Sequence, residues 1–154
     1  VPEARTFAAV DLGAESGRVI TGRLDGSSVS LELGHRFANR PLWLPDGLHW
    51  NLPQLFCDVL AGVGAAAGDA GRRLDGIGVD AWGVDYALLD GLHRMLGLPF
   101  HYRDERVDDE LMALAHGRVG RNELYARTGI QTMAINTVYQ LMAERGTGAA
   151  EAAV

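Results

Sequence analysis

Three β-rich runs in succession, one amphipathic helix and a strand that returns after it predict an α/β protein built on a mixed sheet. The runs are TFAAV at 6–10, RVITGRL at 18–24 and VSLELGHRF at 29–37; the helix follows Asn51, and the returning strand is LDGIGV at 74–79. Such an order gives a three-strand antiparallel meander extended by a parallel strand, because a helix between two strands of one sheet is the usual crossover.

Each element has a local cause. The first run is apolar and closed by Asp11, and the second is β-branched with partial alternation. In the third, Val29, Leu31 and Leu33 share one face and Ser30 and Glu32 the other. Asp25-Gly26-Ser27-Ser28 supplies the turn between the last two. After a connection rich in Pro, Gly and Trp, Asn51 stands where its side-chain carbonyl can accept from an otherwise unpaired N–H of a first helical turn. Leu55, Phe56, Val59, Leu60 and Val63 follow at helical spacing, so this helix runs to about Gly68.

Residues 84–89 (VDYALL) read as further strand before an Asp90-Gly91 turn. Val107, Leu111 and Leu114 mark a second helix, Leu124 and Tyr125 a short third, and Val138, Leu141 and Met142 a fourth. The tail 146–154 (GTGAAEAAV) has no strong apolar face. Three helices with no further strand to cover them lead us to expect a lobe cut from a longer protein. Acidic residues close the first strand and the strand after the helix, and this order is that of the ribonuclease H-like, or actin-like ATPase, fold.

Composition narrows the function. The chain has 154 residues, is 47% hydrophobic and 22% charged, and carries a formal charge of -6, which argues against a nucleic-acid-binding face. All 14 basic residues are arginines, so a lysine-bearing phosphate loop is excluded, and any phosphate must be met by backbone N–H groups and arginine. Cys57 is the single cysteine, expected on a buried helix face, and it points to a reducing compartment. No leader or membrane span is visible, and the expected location is the cytoplasm. His35, His49, His93, His101 and His116 show no metal-ligand spacing.

The stretch VDLGAESGRV at 10–19 asks for more than a hairpin turn. Gly13 and Gly17 permit close approach and unusual φ, so the loop can curl its N–H groups inward around an anion. Asp11 is then placed to hold Mg²⁺, directly or through water, with Asp80 as a second carboxylate at a neighbouring strand end. The Ser16 hydroxyl and Arg18 add donors for phosphate oxygens.

VDLGAESGRV, GIGVDAWGVDYALLD, LPFHYRDERVDD and ARTGIQTMAINTVYQL together resemble the N-terminal part of the FGGY carbohydrate kinases, from about Phe7 to Leu141. The resemblance implies a single partial kinase lobe over 1–154 and ATP-dependent phosphorylation of a ketose hydroxyl, with ATP and Mg²⁺ as cofactors. It implies that Asp11 and the loop Gly13, Ala14, Glu15, Ser16, Gly17 and Arg18 form the first phosphate-binding hairpin. Glu15 departs from relatives that carry a small residue there. Gly83 falls at a sugar contact, with Trp82, Val84 and Asp85 beside it. Tyr102, followed by Arg103 and Asp104, falls where a glycerol-phosphorylating relative has an aromatic wall.

The same resemblance puts the catalytic base and the adenine-binding lobe in later sequence, so this chain alone is expected to be inactive and, with an apolar face uncovered, to self-associate. Read without the resemblance, Trp82, Thr137 and Tyr139 are packing residues and 103–106 is a solvated charge run. Two alternatives stand beside the kinase. A non-catalytic sugar- or nucleotide-binding module would use the same fold. A ribonuclease H-like nuclease would need a further acid on the first helix, where only Asp58 and Asp69 are available.

Overall fold

The computed structural model describes residues 4–68 and 73–154; Asp69 lies outside them. The chain divides into two compact units, Val1–Arg40 with Asn51–Gly83, and Pro41–Trp50 with Val84–Val154.

The first unit is a mixed sheet with one helix. Strands β1 (Arg5–Leu12), β2 (Ser16–Asp25) and β3 (Ser28–Ala38) form the antiparallel meander, and β6 (Gly76–Asp80) pairs parallel with β1, giving the order β3-β2-β1-β6. Gly26 at φ 59° makes the β2–β3 turn. A bulge between Val19 and Ile20 sets Val19 opposite His35 and Ile20 opposite Leu33. The start of β6 is tied to β1 by mutual bonds: Thr6 N–H donates to the Asp75 carboxylate at 2.7 Å and Asp75 N–H to the Thr6 carbonyl at 2.7 Å.

Helix α1 (Leu52–Ala67) begins as its sequence requires, with the Asn51 carbonyl accepting from Gln54 N–H at 3.3 Å, and it ends at Gly68. It buries Leu55, Gly62 and Ala66, and it lies so close to the sheet that a Cβ at Gly62 would stand 2.4 Å from Val19 Cγ2. Ala8, Val10 and Val19 are the core beneath it. The expected apolar face is only half used, since Phe56 and Leu60 are exposed, and Cys57, expected to be buried, is exposed as well. The reason is geometric: a helix brought this near through a glycine covers a narrow stripe of sheet. Val29, Leu31 and Leu33 on β3 and Ile77 and Val79 on β6 are exposed at the two edges of the sheet.

The second unit is mostly loop and helix. A short hairpin, β4 (Leu42–Leu44) with β5 (Gly47–His49), occupies the Pro- and Trp-rich connection. Residues 84–89 are not a strand; Leu89 makes an isolated bridge to Met95, and Leu96 N–H donates to the Leu88 carbonyl at 2.9 Å. Helices α2 (Asp109–Arg118), α3 (Arg121–Thr128), α4 (Thr137–Glu144) and a five-residue α5 (Gly148–Ala152) complete it. Helix α2 starts at an Asp108 cap, with Asp109 and Glu110 in its first turn and His116 and Arg118 in its last, the charge order that the helix dipole favours. Tyr139, 1% exposed, joins α4 to α2 by a 2.8 Å hydrogen bond with His116, so its packing role holds. Among the described residues, no helix is long and apolar enough to cross a membrane.

Candidate functional site

The pairing of β1 sets the first group of candidates. Asp11 stands directly opposite Asp80 on parallel β6 and opposite Arg18 on antiparallel β2. Arg18 Nε donates to Asp11 Oδ2 at 2.7 Å, and both side chains are about half exposed. Two carboxylates at adjoining strand ends would repel each other in isolation, and the cross-strand guanidinium offsets part of that repulsion. Hard oxygen donors of this kind suit a magnesium ion, so the donor set present fits one. Among the described residues, no cluster of three or more His, Cys, Asp and Glu side chains occurs here or elsewhere.

The hairpin above them is shorter than its sequence suggests. Strand pairing runs through Leu12 opposite Gly17, which leaves Gly13, Ala14 and Glu15 as the turn. Gly13 N–H is committed to the Ser16 carbonyl at 3.0 Å. Neither Gly13 nor Gly17 has positive φ, so the expected unusual backbone is absent, and the glycines are needed for space. A Cβ at Gly13 would lie 2.9 Å from the Ser16 carbonyl, and one at Gly17 would lie 2.2 Å from Cζ of Phe37. Gly17 therefore accommodates the buried Phe37 ring, and its smallness serves the core.

Asn39 is a residue that sequence reasoning missed. It is 4% exposed, its Nδ2 donates to the Gly13 carbonyl at 2.9 Å, and its N–H donates to the Glu15 carbonyl at 3.0 Å. Both ends of the turn are thus clamped from the end of β3. No local pattern announces this, because the partners are 26 residues apart in sequence.

Trp82 and Gly83 follow β6, and a Cβ placed on Gly83 meets nothing within 4 Å. In the second unit, Val84 and Asp85 begin a network. Asp85 Oδ2 accepts from Trp50 Nε1 at 2.5 Å and from Tyr102 N–H at 3.2 Å, while Oδ1 accepts from Gln140 Nε2 at 2.9 Å. The Val84 carbonyl accepts from the Thr137 hydroxyl at 2.6 Å. Trp50, 2% exposed, stacks on His101 with ring centres 3.9 Å apart, and His101 stacks on Tyr102 at 4.6 Å.

The run 103–106 is only partly solvated. Arg106 is largely buried, donating to Glu144 at 2.5 Å and to Gln140 at 3.2 Å and lying 3.8 Å over the Phe100 ring. Asp104 accepts from Leu48 N–H at 2.7 Å and from Arg106 N–H at 3.0 Å. Arg103 is exposed, its guanidinium 5.4 Å from the centre of the Tyr102 ring. Tyr86 donates to Glu144 at 3.3 Å, and burial pushes its phenol pKa up, against the lowering effect of Arg106.

No family model matches the chain. Individual relatives do. The chain is 44% identical over 142 residues to a rhamnulokinase of Pectobacterium carotovorum subsp. carotovorum and 43% identical over 142 residues to one of Pectobacterium atrosepticum, in each case over 90% of this chain and 28% of the relative. It thus spans less than a third of the length of these curated relatives. In fold it matches gluconate kinase from Lactobacillus acidophilus with a TM-score of 0.79 at 12% identity, over 98% of this chain and 30% of that one. It also matches xylulose kinase from Rhodospirillum rubrum with a TM-score of 0.73 at 24% identity, over 97% of this chain and 32% of that one. The mixed sheet with its parallel fourth strand is accordingly the actin-like ATPase fold of these sugar kinases, and in sequence the chain is similar to the rhamnulokinases over 90% of its length.

Proposed function

We propose that this chain is the N-terminal part of a cytoplasmic, ATP-dependent sugar kinase that transfers the γ-phosphate of ATP to a ketose hydroxyl. By likeness to the rhamnulokinases, L-rhamnulose is the substrate and L-rhamnulose 1-phosphate the product. The observation that carries the reading is the placement of Asp11 beside Asp80, at the ends of neighbouring parallel strands and under a clamped glycine hairpin.

In this reading Asp11, with Asp80 beside it, would hold a magnesium ion, which would supply positive charge against the transferred phosphoryl group. The turn Gly13 to Glu15, the Ser16 hydroxyl and Arg18 orient the phosphates, and Gly17 shapes the hairpin from the core side. Arg18 meets Asp11 through Nε, and the further N–H donors of the same guanidinium would serve phosphate. By likeness to the sugar kinases, Trp82, Gly83 and Val84 are candidate sugar contacts, and so are Tyr102 and Arg103. The proton acceptor for the sugar hydroxyl comes from sequence beyond these residues.

The test is ADP release from Mg-ATP with L-rhamnulose, measured on the kinase that contains this segment and on the 154-residue chain alone. The longer protein turns over and the chain alone does not. Sustained ADP formation by the chain alone, lost in an Asp11→Ala variant, would show that the catalytic machinery is misplaced here.

A further inference from the structure

We propose that Asp85 is a positioning residue: it holds Tyr102 from behind, through the main chain and through a ring stack, and does not itself touch the sugar. The inference rests on the kinase reading for its consequence, and on the geometry of one carboxylate for its substance. Three donors converge on Asp85, from the Trp50 indole, the Tyr102 main chain and the Gln140 amide. These donors come from the end of the β4–β5 hairpin, from the loop after Phe100 and from α4, three stretches far apart in sequence.

Tyr102 is fixed twice by this single group. Its N–H is bound directly, and its ring rests on His101, which rests on Trp50, whose indole N–H the same carboxylate holds. A hydrogen bond to an ionised acceptor is about twice as strong as a neutral one, so the stack is anchored at its far end by the strongest kind of bond available to an indole. Gln140 is itself engaged by Arg106, which is paired with Glu144, so the carboxylate's third partner cannot swing away without losing its bond from a guanidinium held in a largely buried ion pair. Three of the carboxylate's roughly four acceptor positions are taken by protein donors, which leaves Asp85 little capacity for a sugar hydroxyl.

Two measurements decide the matter. In the ¹⁵N-labelled 154-residue chain, the Trp50 indole N–H should resonate downfield and exchange slowly, and the Tyr102 amide should be protected. Asp85→Asn, which keeps the shape and one acceptor, should weaken both signatures, and Trp50→Phe should expose the Tyr102 amide although Asp85 is intact. Unchanged Tyr102 protection in both variants would overturn the proposal. In the kinase, Asp85→Asn and Tyr102→Ala should each raise the sugar KM about tenfold with the ATP KM unchanged, and the double variant should be no worse than Tyr102→Ala alone. Additive losses would mean that Asp85 meets the sugar on its own account, and would overturn it too. A wild-type enzyme that phosphorylates no sugar would sink the kinase reading instead, and the amide and indole signals would then decide the positioning role alone.

Discussion

Asp11 and Asp80 in the first unit are set side by side by main-chain pairing, whereas Asp85, Tyr102 and Arg106 in the second are set by side-chain hydrogen bonds that reach across 17 to 55 residues of sequence. The carboxylates of the first unit stay exposed or half-exposed at strand ends. In the second, most of the motif residues are consumed by one another. A sheet delivers functional groups to its edge at no side-chain cost. A loop has no ladder to hold it, and the same polar residues that mark it in sequence must hold it in place.

The largest test of this contrast is Asp11→Ala in the kinase. If the first unit supplies groups that act on the transferring phosphoryl, kcat should fall on the order of 100-fold while the sugar KM barely moves. Steady-state kinetics with each substrate varied would check it. Unchanged turnover would put Asp11 among the structural residues and erase the contrast from one side.

From the other side, Glu144→Ala should act on stability. The Arg106–Glu144 pair is largely buried and tied into Gln140 and Tyr86, so removing one partner leaves a buried guanidinium uncompensated, at a cost of about 3 kcal/mol. The exposed Asp11–Arg18 pair lies at the opposite extreme, and Arg18→Ala should shift urea unfolding by less than about 1 kcal/mol. Equal losses in the two variants would mean that exposure does not separate the units.

Two glycines sharpen the comparison further. Gly17→Ala puts a methyl into the Phe37 ring and should destabilise by about 2 kcal/mol. Gly83→Val meets open space in this chain, so it should leave the melting temperature nearly unchanged and raise the sugar KM of the kinase. Thermal melts with sugar-dependent kinetics distinguish the two. A collapse of the Gly83→Val melt would make Gly83 a backbone residue.

What the sequence revealed divides along the same line. The meander, the parallel return and both ends of α1 were legible because their causes are local: alternation, a glycine turn, an asparagine cap. The strand expected at 84–89 fails because Asp85 and Tyr86 bond to groups on α4 and in the loop after Phe100, and no window of neighbouring residues contains those partners. The β4–β5 hairpin did carry a signal, the Pro45-Asp46-Gly47 turn after an apolar run, but its strands are three residues each. The clamp by Asn39 and the burial of Arg106 had none, since both depend on contacts between distant segments.

The smallest effect expected is a pH dependence that belongs to the second unit. His101 is 1% exposed between two rings, and its Nδ1 accepts from Arg103 N–H at 3.0 Å, so the neutral ring carries its proton on Nε2. Charging it would place a second proton where the Arg103 N–H already points. Burial lowers its pKa below the ordinary value of 6.5, opposed by Asp85, reinforced by Arg103 and opposed again by Asp104. Between the folded-state pKa and 6.5 the unfolded chain therefore binds more protons than the folded one, and unfolding is favoured as protons are added. The contribution of this group is whole above pH 6.5 and is lost as the pH falls through the window below it. His101→Phe keeps a ring between Trp50 and Tyr102 and removes the titration, so urea unfolding at pH 7.5 and 5.5 should show a shallower loss in the variant than in the wild type. Equal losses would assign the pH dependence to groups outside the stack, and would leave the ring order of the second unit insensitive to the charge at its centre.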